Sequence, residues 1–459
     1  MFPHIKSIHF IGIGGSGMSG IAEILISQGY SVSGSDLSDT ATTNRLIKMG
    51  AKVFKGHEPD HVGNADVVVT STAIKSDNPE VIAARYRNIP IIPRAEMLAE
   101  LMRMRHGIAV AGAHGKTSTT SMLAHILCDT DLDPTVVIGG RLNKFNSNAK
   151  LGQGTIMLVE ADESDGSFMK LSPTISIVTN LDEEHLDHYK GGIQEIEETF
   201  LAFMNKVPFY GMVVLCSDDD RLRALMAQVT RRIVTYGLKG DADLTAANVR
   251  YDGFGMSYDL MVRGEQITKI KLSVPGIHNV LNSLGAIAVA LEFNVSLPSI
   301  ADSIVKFTGA DRRFHQIGIS RERFFVDDYA HHPTEILATL EAAQHAYDGR
   351  LVAVFQPHRY TRFSHSWEKL LDAFNMADHV LVVPVFEAGE TPIPNILSSR
   401  FAEELNLNHP SVSYIDALDE IDAHLMDISA PGDMVLALGA GSISKKIREV
   451  HDSWQQADE

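Results

Sequence analysis

A chain of 459 residues with 44% hydrophobic content has room for two or three domains, and no apolar run reaches the ~20 residues a bilayer-spanning helix needs. Its 40 lysines and arginines stand against 58 aspartates and glutamates; the formal charge of −18 repels nucleic-acid phosphate, and the short RMRH near residue 103 and TRR near 231 read as solvated surface, not as a basic patch. The start MFPHIKSIHF shows no basic, then apolar, cleavable leader, and Cys128 and Cys216 lie in apolar contexts as reduced core residues, so a cytoplasmic protein that binds neither membrane nor nucleic acid is expected.

The first predicted strand runs from Ile8 into Gly12, Gly14 and Gly17, a G-x-G-x-x-G that opens a helix within IHFIGIGGSGMSGIAEIL. Glycines there let the backbone approach a pyrophosphate, and the helix N-terminus favours its charge. Asp36 follows the strand YSVSGSD, roughly 20 residues on, where a ribose-binding carboxylate is expected. NAD and a UDP-sugar both present a diphosphate beside a sugar, so this segment leaves the two open. The strands ADVVVTS and IPIIP alternate with helical RAEMLAELMR up to about residue 104, the pattern of a parallel sheet.

A second block opens with strand IAVA leading into Gly112-Ala113-His114-Gly115-Lys116-Thr117 and a helix. Glycine amides and the helix start would cradle phosphate, Lys116 would reach the terminal phosphates, and the Thr117 hydroxyl could ligate magnesium. Ala113 and His114 alone separate the glycines, where the common phosphate loop has four residues. Strand GTIMLVE then ends in EADESDGSF, which crowds Glu160, Asp162, Glu163 and Asp165 together. A strand-end carboxylate beside a phosphate loop suits magnesium, and Glu160, the first of the run, is the best placed. Strand TISIVTN delivers His185 in LDEEHLDHY, a second candidate metal ligand. Further on, alternating residues with turns at Asp252-Gly253 and Arg263-Gly264 predict antiparallel hairpins.

A third block starts near Thr308, with strands RFFVDD, RLVAVFQP, HVLVVPVF and DMVLALGAG between helices. Asp328 and His331 or His332 follow one of these strands; by composition alone, DDYAHHP reads equally as a capped turn. Arg359 and Arg362, three apart in PHRYTR, could fork a carboxylate or could be a solvated helix start.

Nine segments, GIGGSGMSGIAE, AGAHGKTSTT, EADESDGSF, TNLDEEHLDHY, PGIHNVLNSLGA, GADRRFH, VDDYAHHPTEI, FQPHRYTR and LGAGSI, stand in the order in which the Mur ligases carry theirs. The sequence resembles that family of ATP-dependent, amide-forming enzymes of peptidoglycan precursor synthesis, and within it the members that add L-alanine to UDP-N-acetylmuramate. The resemblance implies an α/β fold of three domains, each with a mainly parallel sheet. These are a Rossmann-like UDP-sugar-binding domain over 1–104, a central P-loop ATPase domain with an added antiparallel sheet over 105–308, and a C-terminal Rossmann-like domain over 309–459 that brings the amino acid and closes on ATP. It also resolves the first glycine loop in favour of a UDP-sugar, with no redox cofactor.

The implied reaction activates the lactyl carboxylate as an acyl phosphate, adds the amine of alanine, and expels phosphate from a tetrahedral intermediate. Lys116, Glu160, His185 and Arg313 would be catalytic. Gly112, Gly115, Lys116, Thr117, Ser118, His278, Asn279, Asn282 and Arg313 would bind ATP, with Arg312 as the alternative to Arg313. Two magnesium ions are implied, with Thr117, Glu160 and His185 as ligands. Gly14, Gly15, Ser16, Gly17, Met18, Ser19, Asp36 and Ser71 would hold the UDP-sugar, and His331, Arg359 and Arg362 the alanine. Where several Mur ligases carry a carbamoylated lysine, EETFLAF offers Thr199 and Phe200, so no modified lysine is expected. Two other readings are a member that takes a tripeptide as its amine, and a non-catalytic regulator that binds nucleotides.

Overall fold

The computed structural model describes residues 4–71, 73–142, 147–186 and 188–458. They gather into two compact units: one of 1–245, 261–265 and 282–304, the other of 246–260, 266–281 and 305–459. The first unit holds a five-stranded parallel sheet in the spatial order Lys52–Lys55, Ser31–Asp36, Ser7–Ile11, Val67–Thr70, Ile91–Pro93. Both glycine-rich loops leave strands near the middle of their sheets, where the carboxyl ends of parallel strands form a crevice for ligands. Beside this sheet runs a second: Ser147–Lys150, Thr135–Leu142, Ile156–Glu160, His106–Ala111, Ile175–Val178, Met212–Cys216, Ile233–Gly237, parallel except for its first pair. Ile108 to Ala111 are fully buried, as expected for a strand covered on both faces.

The predicted hairpins are present. Strands Leu244–Asp252, Gly255–Val262 and Glu265–Leu272 are joined by tight turns that use left-handed backbone at Gly253, Arg263 and Gly264. The second unit is built on a six-stranded sheet in the order His315–Ser320, Arg323–Asp328, Met434–Leu438, Leu351–Phe355, His379–Val382, Val412–Tyr414, antiparallel only in its first pair. Alternation along Met434–Leu438 divides its core: Met434, Leu436 and Leu438 join Phe355, Phe363 and Phe401 on one face, Val435 and Ala437 join Ile447 and Trp454 on the other. The α/β class with mainly parallel sheets is therefore observed. Among the described residues no helix is long and apolar enough to cross a membrane.

Candidate active site

The short glycine loop after His106–Ala111 is braced from the neighbouring strand. Asn180 Oδ1 accepts from the His114 amide (2.8 Å), and Thr179 Oγ1 and Asn180 Nδ2 donate to the His114 carbonyl (2.6 and 3.1 Å). Gly112 and Gly115 have φ of 133° and 80°, and a Cβ on Gly115 would sit 2.5 Å from Asn282 Oδ1, so side chains are excluded at both ends of the loop. Gly115 precedes the helix Lys116–Cys128, whose N-terminus faces the loop. Asn282 also accepts from Thr119 Oγ1 at 3.1 Å, and Ser118 is buried in the same first turn.

Lys116 lies across this loop. Its Nζ donates to the carbonyls of Gly112 (2.6 Å) and Ala113 (2.8 Å) and to Glu163 Oε1 (2.7 Å). Burial opposes charge on the lysine, but Glu163, together with Glu184 and Glu160 beyond it, more than offsets it and holds the ammonium above its ordinary value. Burial pushes the Glu163 carboxyl up to about 7 against the pull of Lys116. Thr117 Oγ1 donates to Glu160 Oε1 at 2.8 Å, while Glu160 Oε2 accepts from the Gly139 amide at 2.7 Å.

The four crowded acids thus separate by role. Asp162 accepts from the amide and hydroxyl of Ser164, and Asp165 from the amide of Ser167, so these two shape the turn. Glu160 and Glu163 face the phosphate loop. His185, at a left-handed φ of 56°, brings Nε2 to 3.7 Å from both Glu163 Oε1 and Glu184 Oε2. Donor atoms of Glu163, Glu184 and His185 lie within 4.8 Å of one another, and Glu163 Oε2 is buried with no hydrogen-bond partner among the described residues. Two carboxylates supply hard oxygen donors that fit a magnesium or manganese ion, with the imidazole as a borderline third donor, and the Thr117–Glu160 pair supplies hard oxygens as well.

At the first glycine loop, Asp36 Oδ2 accepts from the Gly14 amide at 2.9 Å, so the carboxylate expected at a ribose also pins the loop. Ser71 lies over Gly12. The helix Ser16–Ser27 begins after Gly15; Met18 and Ser19 are buried, and their amides donate to the Gly15 carbonyl. The side chain of Ser16 lies outside the described residues. Arg94 packs over Gly17 and pairs with Asp162 (3.3 Å), joining the two loops within this unit.

In the second unit the paired candidates part company. Arg312, at φ 59°, donates to the carbonyls of Gly439 (2.7 Å) and Ala440 in LGAG, and so braces a turn. Arg313 turns the other way, 3.5 Å from Glu335, and both guanidiniums flank the Tyr329 ring. Asp328 receives the amides of Phe314 (2.6 Å) and Ala330 (2.7 Å), and burial pushes its carboxyl up to about 6. His331 Nδ1 lies 2.9 Å from the Tyr329 carbonyl, and His332 is buried at the start of the helix Pro333–Ala346. His278 is pushed down to about 4, by burial first and by Arg313 second. Asn279 Nδ2 donates to the Pro275 carbonyl at 2.7 Å. Arg359 and Arg362 stand at the start of the helix Tyr360–Leu371, each with its own partner: Arg359 Nε donates to Glu390 Oε1 at 2.6 Å, and Arg362 Nη1 to His358 Nδ1 at 3.1 Å. Thr199 and Phe200 fall on the helix Ile193–Asn205, with Phe200 in the core.

Sequence reasoning passed over Glu163 as the partner of Lys116, Glu184 beside His185, Arg94, His358 and Glu390. Glu163 stood among the four acids, but spacing does not tell which way a turn aims its side chains.

Three sequence models of one family match in order: "Mur ligase family, catalytic domain" over residues 7–106, "Mur ligase middle domain" over 110–290 and "Mur ligase, glutamate ligase domain" over 312–441. A protein of Pelobacter propionicus named UDP-N-acetylmuramate–L-alanine ligase is 51% identical, with 100% of this chain and 98% of that one covered. A protein of Syntrophotalea carbinolica with the same name is 50% identical, with 99% of each covered. Among solved structures, a UDP-N-acetylmuramate-alanine ligase of Thermotoga maritima matches with a TM-score of 0.84 at 29% identity, covering 99% and 100%. A murein peptide ligase of Psychrobacter arcticus matches at 0.71 and 25%, covering 98% of each.

Proposed function

The chain belongs to the Mur ligase family, and we propose that within it the protein joins L-alanine to the lactyl carboxylate of UDP-N-acetylmuramate at the expense of ATP. The observation that carries this reading is end-to-end identity of about one half to relatives of that name, on a chain whose phosphate loop gathers Lys116, Thr117, Glu160 and Glu163. We keep the division into 1–104, 105–308 and 309–459, which the three matched regions support.

A carboxylate resists an amine until one of its oxygens becomes a leaving group. The lactyl carboxylate oxygen attacks the γ-phosphorus, the bond to the departing ADP oxygen breaks, and an acyl phosphate remains. The neutral amine of alanine then adds to the acyl carbon, and the tetrahedral intermediate expels phosphate, which carries off the proton that the nitrogen sheds as the amide forms. Phosphoryl transfer of this kind depends on position and charge more than on covalent help from the protein. Lys116 exchanges its bonds to the loop for the terminal phosphates, and the braced amides of the loop hold their oxygens. Thr117 with Glu160, and His185 with Glu163 and Glu184, would hold magnesium, which neutralises phosphate charge. Arg313 serves the phosphates, and His278, Asn279 and Asn282 serve the nucleoside. Asp36, Ser71 and residues 14–19 serve the UDP-sugar, and His331, Arg359 and Arg362 serve alanine. We place the reaction in the cytoplasm.

The test is phosphate release from magnesium-ATP with UDP-N-acetylmuramate, with and without L-alanine. Release that requires both substrates supports the reading. Release only with a tripeptide amine would move the protein to the recycling ligases, and no release with either amine would leave a nucleotide-binding regulator.

A further inference from the structure

The segment after the strand His379–Val382 forms a bracket around the start of the helix Tyr360–Leu371. Phe386 and His358 stack (5.5 Å between centroids, 11° between planes). The Phe386 amide donates to the Pro357 carbonyl (2.8 Å), and the Arg359 amide returns a bond to the Phe386 carbonyl (2.9 Å). Ala388 and Gly389 then take left-handed φ of 50° and 83°, which turns the chain back so that Glu390 reaches the helix start. Glu390 Oε1 accepts from Arg359 Nε (2.6 Å) and Thr361 Oγ1 (2.7 Å), and Oε2 accepts from the Thr361 amide (3.0 Å).

Arg359 needs such a partner. It is the residue before the first turn, at φ 65° and ψ 129°, a backbone conformation that a side-chain-bearing residue adopts only when its surroundings impose it. An arginine carries many rotamers, and a guanidinium that must meet a small carboxylate in a two-point geometry has to be oriented before the ligand arrives. Burial opposes the charge of Glu390, but its three donors win and keep the carboxyl below its ordinary value, so it stays an anion and an acceptor. Arg362 has a different device. His358, pushed down to about 3 by burial and by His331 and the surrounding arginines, remains neutral and presents Nδ1 as an acceptor.

We propose that Glu390 is a positioning residue of the amino-acid site: it fixes Arg359 and the first turn of its helix in the geometry that receives the α-carboxylate of the incoming alanine. The inference rests on the reading in which Arg359 and Arg362 bind that carboxylate. Glu390 acts through Arg359 and touches no substrate.

The experiment is steady-state kinetics with each substrate varied in turn, for the parent protein and for Glu390→Ala, Glu390→Gln, Arg359→Ala and the Glu390→Ala/Arg359→Ala double variant. Misorienting a positioning group costs one to two orders of magnitude, so Glu390→Ala is expected to raise KM for L-alanine on the order of ten-fold, with KM for ATP and UDP-N-acetylmuramate changed less than about two-fold. Glu390→Gln keeps one oxygen to accept from Arg359 and Thr361 Oγ1 but turns a donor NH2 toward the Thr361 amide, so it should raise the alanine KM by a smaller factor, roughly three-fold, and this rise keeps the test valid if the alanine variant folds poorly. In the Arg359→Ala background, Glu390→Ala should add nothing further. An unchanged or lowered alanine KM in Glu390→Ala, alongside a raised one in Arg359→Ala, would overturn the positioning role alone. An unchanged alanine KM in Arg359→Ala would overturn the carboxylate reading beneath it.

Discussion

Replacing Lys116 with methionine keeps the length and apolar stem of the side chain and removes its charge. In the folded protein the ammonium contacts two loop carbonyls and Glu163, and the two side chains are 15% and 5% exposed. Stranding a buried carboxylate that stays ionised costs about 3 to 5 kcal/mol. Glu163 is already pushed up to about 7 with the lysine beside it, so without the lysine it holds a proton at neutral pH, and the deficit falls to roughly 1 to 2 kcal/mol. The sign with pH follows from linkage. A carboxyl whose folded value is raised loses stability as pH climbs from its unfolded value, 4.5, toward the folded one, at about 1.4 kcal/mol per pH unit. Removing Lys116 extends that window above 7, so the gap between variant and parent should widen from pH 6 to pH 8.5.

Denaturant unfolding of the nucleotide-free proteins at those two pH values measures the stability gap, and phosphate release at saturating substrates measures kcat. Loss of one preorganised charge at the reacting phosphate should lower kcat by roughly 10²- to 10³-fold. Adding Glu163→Gln should flatten the pH dependence without restoring turnover. A gap that is constant or narrows with pH would refute the account of the buried pair, and a kcat within ten-fold of the parent would refute the role given to Lys116.

Gly115→Ala forces a Cβ into left-handed backbone and toward Asn282, a strain of about 1 to 2 kcal/mol before any clash; it should lower the Tm and raise KM for ATP, and an unchanged KM would show that the loop tolerates side chains. Asp328 is held near 6 by burial against an ordinary 3.8, so the parent should lose roughly 3 kcal/mol relative to Asp328→Asn between pH 4 and 6; a stability difference that does not move with pH would sink this. Selectivity by one methyl group is worth only about 1 to 3 kcal/mol, so glycine and serine should also be joined, slowly, and absence of product at saturating glycine and serine would contradict it.

The strand-to-glycine-to-helix junctions were legible because each is a local pattern: a buried strand, residues that accept positive φ, and a helix start within ten positions. The hairpins were legible for the same reason, through Asp252-Gly253 and Arg263-Gly264. The residues that went unread owe their places to long-range geometry. Arg94 meets Asp162 across 68 positions and Arg359 meets Glu390 across 31, and no periodicity connects such pairs. In EADESDGSF, identity and spacing marked a cluster, but Asp162 and Asp165 closing on Ser164 and Ser167 decided that Glu163 would turn toward Lys116. Arg312 and Arg313 were indistinguishable in sequence; the left-handed backbone at Arg312 sends them to different partners.

The internal pairing of Lys116 also bears on how fast nucleotide can leave. A lysine that waits alone gains a full ion pair when a triphosphate arrives and surrenders it when the diphosphate departs. In the role proposed for it, Lys116 would trade one anion for another in both directions, since Glu163 stands ready to take it back. Nucleotide affinity in such a site would be a difference between two attractions, which would shorten residence times and help spent ADP clear the loop for the next cycle.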